Sequence, residues 1–143
     1  MALEAIFHSI KLSKIQYFPT RNIHVLSSKR VNMAFCPLDY RYGCQEFKEI
    51  WSELGRHQRQ LEVERALVWA HKEMGKVSAE DYAKVAEIAV PSVVTKERVS
   101  EIEAETRHDI MALTKAMAEA AGEAGWCIHL GATSNDIVDT AVG

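Results

Sequence analysis

The chain has 143 residues, 48% of them apolar and 26% charged, with a formal net charge of -3. That length suits one domain with a real core. The near-neutral charge gives no electrostatic reason to expect nucleic acid or an anionic membrane as partner. No apolar run approaches the roughly 18 residues that a membrane helix needs. Three scattered cysteines, Cys36, Cys44 and Cys127, show neither zinc-site spacing nor the density of a secreted scaffold, so reduced thiols in a cytosolic protein are expected.

Residues 1–32 differ from the rest, carrying Lys11, Lys14, Arg21, Lys29 and Arg30 against one acid, Glu4. This basic extension resembles a weak organellar presequence. It can equally be a disordered basic tail or translated sequence upstream of a start at Met33, the reading favoured here. From Cys44 to Met74 the pattern is helical. Phe47, Ile50, Trp51 and Leu54 share one side, continued by Leu61, Ala66, Leu67, Trp69 and Ala70. Gly55 marks a kink or a join, and Gly75 a stop. Ser78 and Asp81 form a capping box that opens a helix through about Val90, ended by Pro91. A further helix begins near Thr95 and uses Val99 and Ile102.

Thr106 and Asp109 have capping-box spacing ahead of Ile110, Met111, Leu113, Ala116, Met117 and Ala121. Gly122 and Gly125 close that helix. Residues 126–130 read as a short apolar link. Thr133 and Asp136 repeat the capping-box spacing, and Ile137, Val138 and Ala141 begin a new apolar stripe expected to pack on elements beyond this chain. No period-2 alternation marks a strand. The expectation is all-α, with an N-terminal helical domain over 33–130 and the start of a longer helical body over 131–143.

Helix N-termini present unpaired N–H groups and the positive end of the helix dipole, so phosphates and carboxylates settle there. One such terminus carries Arg107 and His108, the other Thr133, Ser134 and Asn135. Plain helix capping is the commoner meaning of such a pattern, so spacing alone leaves the anion site as a weak hint. Arg41-Tyr42-Gly43 offers a planar donor fork beside an aromatic, suited to phosphate or to a packed turn. His57 and His71 stand fourteen residues apart without a second ligand, and His71-Lys72-Glu73 is not the H-E-x-x-H motif, so no metal site is expected. Cys127 and His129 sit in the apolar link and read as packing. Glu101, Glu103 and Glu105 read as a solvated helix face.

Residues 101–113, containing Thr106-Arg107-His108-Asp109, resemble the T-x-H-D region of adenylosuccinate lyases. Residues 128–141, containing Gly131-Ala132-Thr133-Ser134-Asn135-Asp136, are similar to the G-x-T-S-x-D-x-x-D-T-A segment of that family, and Arg41-Tyr42 to its Arg-Tyr pair. The resemblance implies the N-terminal helical domain of a fumarase/aspartase-superfamily enzyme, ending as the central long-helix bundle begins. It implies β-elimination of fumarate from adenylosuccinate, giving AMP, and from the succinyl-carboxamide ribonucleotide of purine biosynthesis. By position, Arg41 and Tyr42 would hold the phosphate, and Arg107, His108 and Asp109 would line the pocket. His108 would take a supporting proton-handling role, and Thr133 and Ser134 would bind a succinyl carboxylate. The resemblance further implies no cofactor, a cytoplasmic homotetramer, and a main acid/base histidine and a mobile-loop serine beyond Gly143, so that this chain is inactive by itself. Other superfamily lyases (argininosuccinate lyase, fumarase, carboxymuconate cycloisomerase) and a non-catalytic helical assembly module are the alternatives.

Overall fold

The computed structural model describes residues 44–143; the basic extension, Cys36 and the Arg41-Tyr42-Gly43 turn lie outside the described residues. Among these residues the structure is all-α. Six α-helices follow in order: α1 (Gln45–Ile50), α2 (Glu53–Glu73), α3 (Ala79–Ile88), α4 (Lys96–Thr106), α5 (Asp109–Ala121) and α6 (Ser134–Val142), with a 3-10 segment (Gly122–Cys127) after α5.

The helix ends follow local chemistry. Ser78 Oγ accepts from Asp81 N–H at 3.0 Å and Thr95 Oγ1 from Arg98 N–H at 3.2 Å, each satisfying a donor the helix leaves unpaired. Gly75, at φ +71°, ends α2 in a Schellman turn, with Lys76 N–H bonded to the His71 carbonyl and Gly75 N–H to that of Lys72. α3 stops at Ile88, earlier than the sequence pattern indicates. Val90 N–H bonds the Ile88 carbonyl at 2.7 Å, and Pro91 disfavours a helical residue before it. The break in the first helical run falls at Trp51–Ser52. Ser52 caps α2 by accepting from Gly55 N–H at 2.9 Å. Gly55 is the residue that permits the join, since a Cβ there would meet the carbonyl oxygens of Glu49 and Ile50 at 2.4 and 2.6 Å.

α5 is the central element. It packs on α4, α3, the 3-10 segment and α6, while α2 packs on α3 and α6. Ile110, Leu113 and Met117 on α5 meet Val85, Val99, Ile102, Cys127 and Ile137 in one core. Each fully buried large side chain contributes about 1.5–3 kcal/mol relative to exposure. Arg98 on α4 reaches across to Glu119 on α5 and to Glu101 on its own helix, so Glu101 is ion-paired rather than merely solvated.

Two expectations about apolar faces are corrected. Phe47, Ile50, Trp51 and Leu54 are all more than half exposed among the described residues, and Trp69 is exposed too. The buried stripe of α2 is instead His57, Leu61, Glu64 and Val68. Its alternation of polar and apolar residues conceals it from a hydrophobicity reading. Ile137 is 1% exposed. It packs within this chain, because α6 folds back against α2.

Candidate functional site

The chain reverses sharply between α4 and α5. Arg107 occupies the left-handed region (φ 53°, ψ 34°), its N–H bonded to the Glu103 carbonyl, and its side chain is exposed. The N-cap of α5 is therefore His108, not Thr106. Thr106 ends α4 and donates its hydroxyl to the His108 carbonyl at 3.3 Å. His108 Nδ1 accepts from Met111 N–H at 3.2 Å, so that nitrogen carries a lone pair. The proton of the neutral ring then sits on Nε2. Asp109 Oδ1 accepts from Ile110 N–H at 2.7 Å and lies 3.6 Å from His108 Nδ1, too far to displace the capping bond. The first donors of α5 are thus partly used by its own cap.

At the start of α6, Thr133 N–H donates to Asp136 Oδ2 at 3.0 Å. Ser134 and Asn135 follow, with N–H groups that have no acceptor inside the helix. Ser134 Oγ lies 3.4 Å from His108 Nε2. Two segments 26 residues apart in sequence thereby meet, and the ring proton of His108 faces the Ser134 hydroxyl. Asp109 also lines a groove between α2, α4 and α5, whose walls include Arg56, Gln60, Lys96 and Glu103. Arg107 and Thr133 adjoin His108 and Ser134 in sequence; Arg41 and Tyr42 lie outside the described residues.

Beneath this corner is a feature the sequence did not disclose. Glu64 on α2 is wholly buried, and its two oxygens accept from the His129 backbone N–H at 3.1 Å and contact His129 Nδ1 at 2.7 Å. Burial pushes the Glu64 carboxyl up, and the His129 bonds oppose that rise. His71 Nε2 donates to the Leu130 carbonyl at 2.7 Å, leaving its buried Nδ1 without a partner among the described residues. His57 Nε2 bonds the Val94 carbonyl at 2.7 Å, and burial holds this imidazole below its ordinary value. Cys127 is buried, its hydrogen on the Ala124 carbonyl, and burial with the charge of Asp81 pushes its thiol up. That is packing, as the sequence indicated, whereas the His129 ring is hydrogen-bonded to the buried Glu64. The seven-residue spacing of His57, Glu64 and His71 signals that they share one face of α2, but nothing in the sequence names His129 as the partner of Glu64. No group of three metal-ligating side chains occurs among the described residues.

Among the described residues, all of them helix or connection, two helix starts bring a histidine and a hydroxyl together, a candidate polar site built on helix ends. No protein-family model matches the chain. It is similar to the adenylosuccinate lyase of Pyrococcus horikoshii, 51% identical over 109 residues, covering 76% of this chain and 24% of that protein. The Archaeoglobus fulgidus adenylosuccinate lyase is 55% identical over 105 residues, covering 73% of this chain and 23% of that protein. For the Streptococcus mutans adenylosuccinate lyase the figures are 43% over 103 residues, with 72% and 23% covered. Over this matched stretch the chain is similar to adenylosuccinate lyases of both archaea and bacteria. It spans about a quarter of the length of the curated relatives it matches.

Proposed function

We propose that the chain is the N-terminal part of an adenylosuccinate lyase, which β-eliminates fumarate from adenylosuccinate and from the succinyl-carboxamide ribonucleotide. The identity of about half the residues over 109 positions with a protein of that name carries the reading. A β-elimination removes a proton from the succinyl carbon, stabilises the doubly charged carboxylate intermediate and protonates the departing nitrogen. In this proposal Thr133 and Ser134, with the N–H groups that open α6, bind a succinyl carboxylate. His108, its Nε2–H 3.4 Å from Ser134 Oγ, donates to that carboxylate or relays a proton beside it. Arg107 and Asp109 line the pocket, and Arg41 and Tyr42 hold the phosphate.

The main acid and base lie in sequence beyond Gly143, residues 131–143 open the long-helix bundle, and the whole enzyme works as a cytoplasmic homotetramer without a cofactor or metal. No described helix is long and apolar enough to cross a membrane, which fits that reading. The chain alone then releases no fumarate. The test is a chimaera in which the matched stretch replaces its counterpart in the Pyrococcus horikoshii lyase. Fumarate release from adenylosuccinate is expected, and His108→Gln in the chimaera should slow turnover by about 10²–10⁴. A folded chimaera that leaves adenylosuccinate intact would overturn the proposal.

A further inference from the structure

Three side chains on the inward face of α2 reach for turns rather than for the core. His57, Glu64 and His71 recur at seven-residue intervals, which places them on one face at steps of about 10.5 Å. His57 bonds the carbonyl of Val94, the residue before the N-cap Thr95 of α4. Glu64 and His71 bond consecutive residues, His129 and Leu130, of the turn that leads into α6. Leu61 and Val68 fill the spaces between these polar residues, both at 0% exposure.

Filling space at position 64 does not require a carboxylate. An apolar side chain of similar volume would pack there without the desolvation cost of a buried acid. What a carboxylate adds is direction. Its two oxygens address two groups of one residue, the main-chain N–H and the ring of His129. That residue stands at φ 61°, a region side-chain-bearing residues seldom adopt. Fixing the N–H orients the peptide plane, and fixing the ring prevents the rotation that would release it. Only Leu130, Gly131 and Ala132 separate His129 from the α6 N-cap Thr133, with Gly131 at φ 72° and the Ala132 N–H bonded back to the His129 carbonyl. The direction in which Ser134 meets His108 is inherited from that turn.

We infer that Glu64 is a positioning residue for the candidate site: it sets the turn over residues 129–132 so that the start of α6 faces His108, and it holds the His129 ring proton on Nδ1. The inference rests on the lyase reading only for what the site binds. Its test measures no turnover, so a failed lyase assay and a failed positioning test are separate results.

The experiment is NMR of the 143-residue chain labelled with ¹⁵N-histidine, comparing wild type with Glu64→Leu and Glu64→Gln near neutral pH. In the wild type, His129 Nδ1 is expected to be protonated, and the His108 ring protons should show a nuclear Overhauser contact to the Ser134 side chain. In Glu64→Leu the Nδ1 proton signature and the His108–Ser134 contact should both be lost while helix content is kept. Glu64→Gln, with one acceptor oxygen, should retain one of them. A role in packing alone would leave the ring tautomer untouched. A wild-type His129 ring that lacks the Nδ1 proton overturns the inference, whether or not a variant folds. So does a folded Glu64→Leu in which both signals persist.

Discussion

Removing Glu64 and His129 singly and together isolates the buried pair beneath the site. In Glu64→Ala the His129 main-chain N–H and ring lose partners 3.1 and 2.7 Å away. An orphaned buried donor costs about 1–3 kcal/mol. The His129 side chain keeps 23% of its surface, so water recovers part of one, and a loss of about 3 kcal/mol follows for the variant. In His129→Ala the backbone bond to Oε2 survives, but a carboxyl with no exposed surface loses its nearest partner, costing about 1–3 kcal/mol. The two losses share one interaction, so the double variant should be more stable than their sum by about 2 kcal/mol. Urea unfolding of the four proteins near neutral pH gives this coupling directly, provided the denaturant slope is common to all. A coupling under about 0.5 kcal/mol would mean the pair is an incidental contact, and the reasoning that makes it an orienting device would fail.

Four further outcomes follow from the same geometry. Ile137→Ala should cost about 2–5 kcal/mol, since the side chain is 1% exposed; an unchanged urea midpoint would show that α6 is not docked. Gly55→Ala places a methyl against the Glu49 and Ile50 carbonyls, so circular dichroism should lose about the six residues of α1 while the main unfolding transition stays in place. His57 has a folded pKa below its ordinary 6.5, so the unfolded chain binds more protons and stability falls as pH drops below 6.5. Glu64, raised above its ordinary value, acts in the opposite sense at lower pH. The His57 contribution is therefore read as the difference between wild type and His57→Gln, whose stability should fall less steeply on acidification; identical slopes would refute it. Lastly, a thiol reagent should label exposed Cys44 quickly and buried Cys127 only on unfolding, and equal labelling rates by mass spectrometry would contradict the burial of the 3-10 segment.

Local chemistry was legible from residues alone wherever a helix boundary is set by its own side chains. Ser78, Thr95 and Gly75 stand at the helix ends the sequence indicated, although Asp81 accepts the Ser78 hydroxyl proton rather than closing a capping box, and Val99, Ile102, Leu113 and Met117 point inward because α4 and α5 carry ordinary apolar stripes. The motifs around His108 and Ser134 were visible as well, and the resemblance they carry agrees with the relatives that match. Thr106 misled because its spacing to Asp109 fits a capping box, while the left-handed Arg107 moves the helix start to His108.

What tertiary structure alone decided concerns partners far apart in the chain. Glu64 and His129 are 65 residues apart, and His108 and Ser134 26; no periodicity encodes which buried acid will meet which imidazole. A charged residue on a helix reads as a solvated one until another segment supplies the donors that make its burial tolerable. The stripe on α2 escaped notice for that reason, and the inward packing of Ile137 because nothing local shows that α6 folds back on α2. Sequence fixes where helices can begin and end, because caps and turns depend on neighbours a few residues away. Which faces are covered, and which polar atoms converge, depends on how those helices pack.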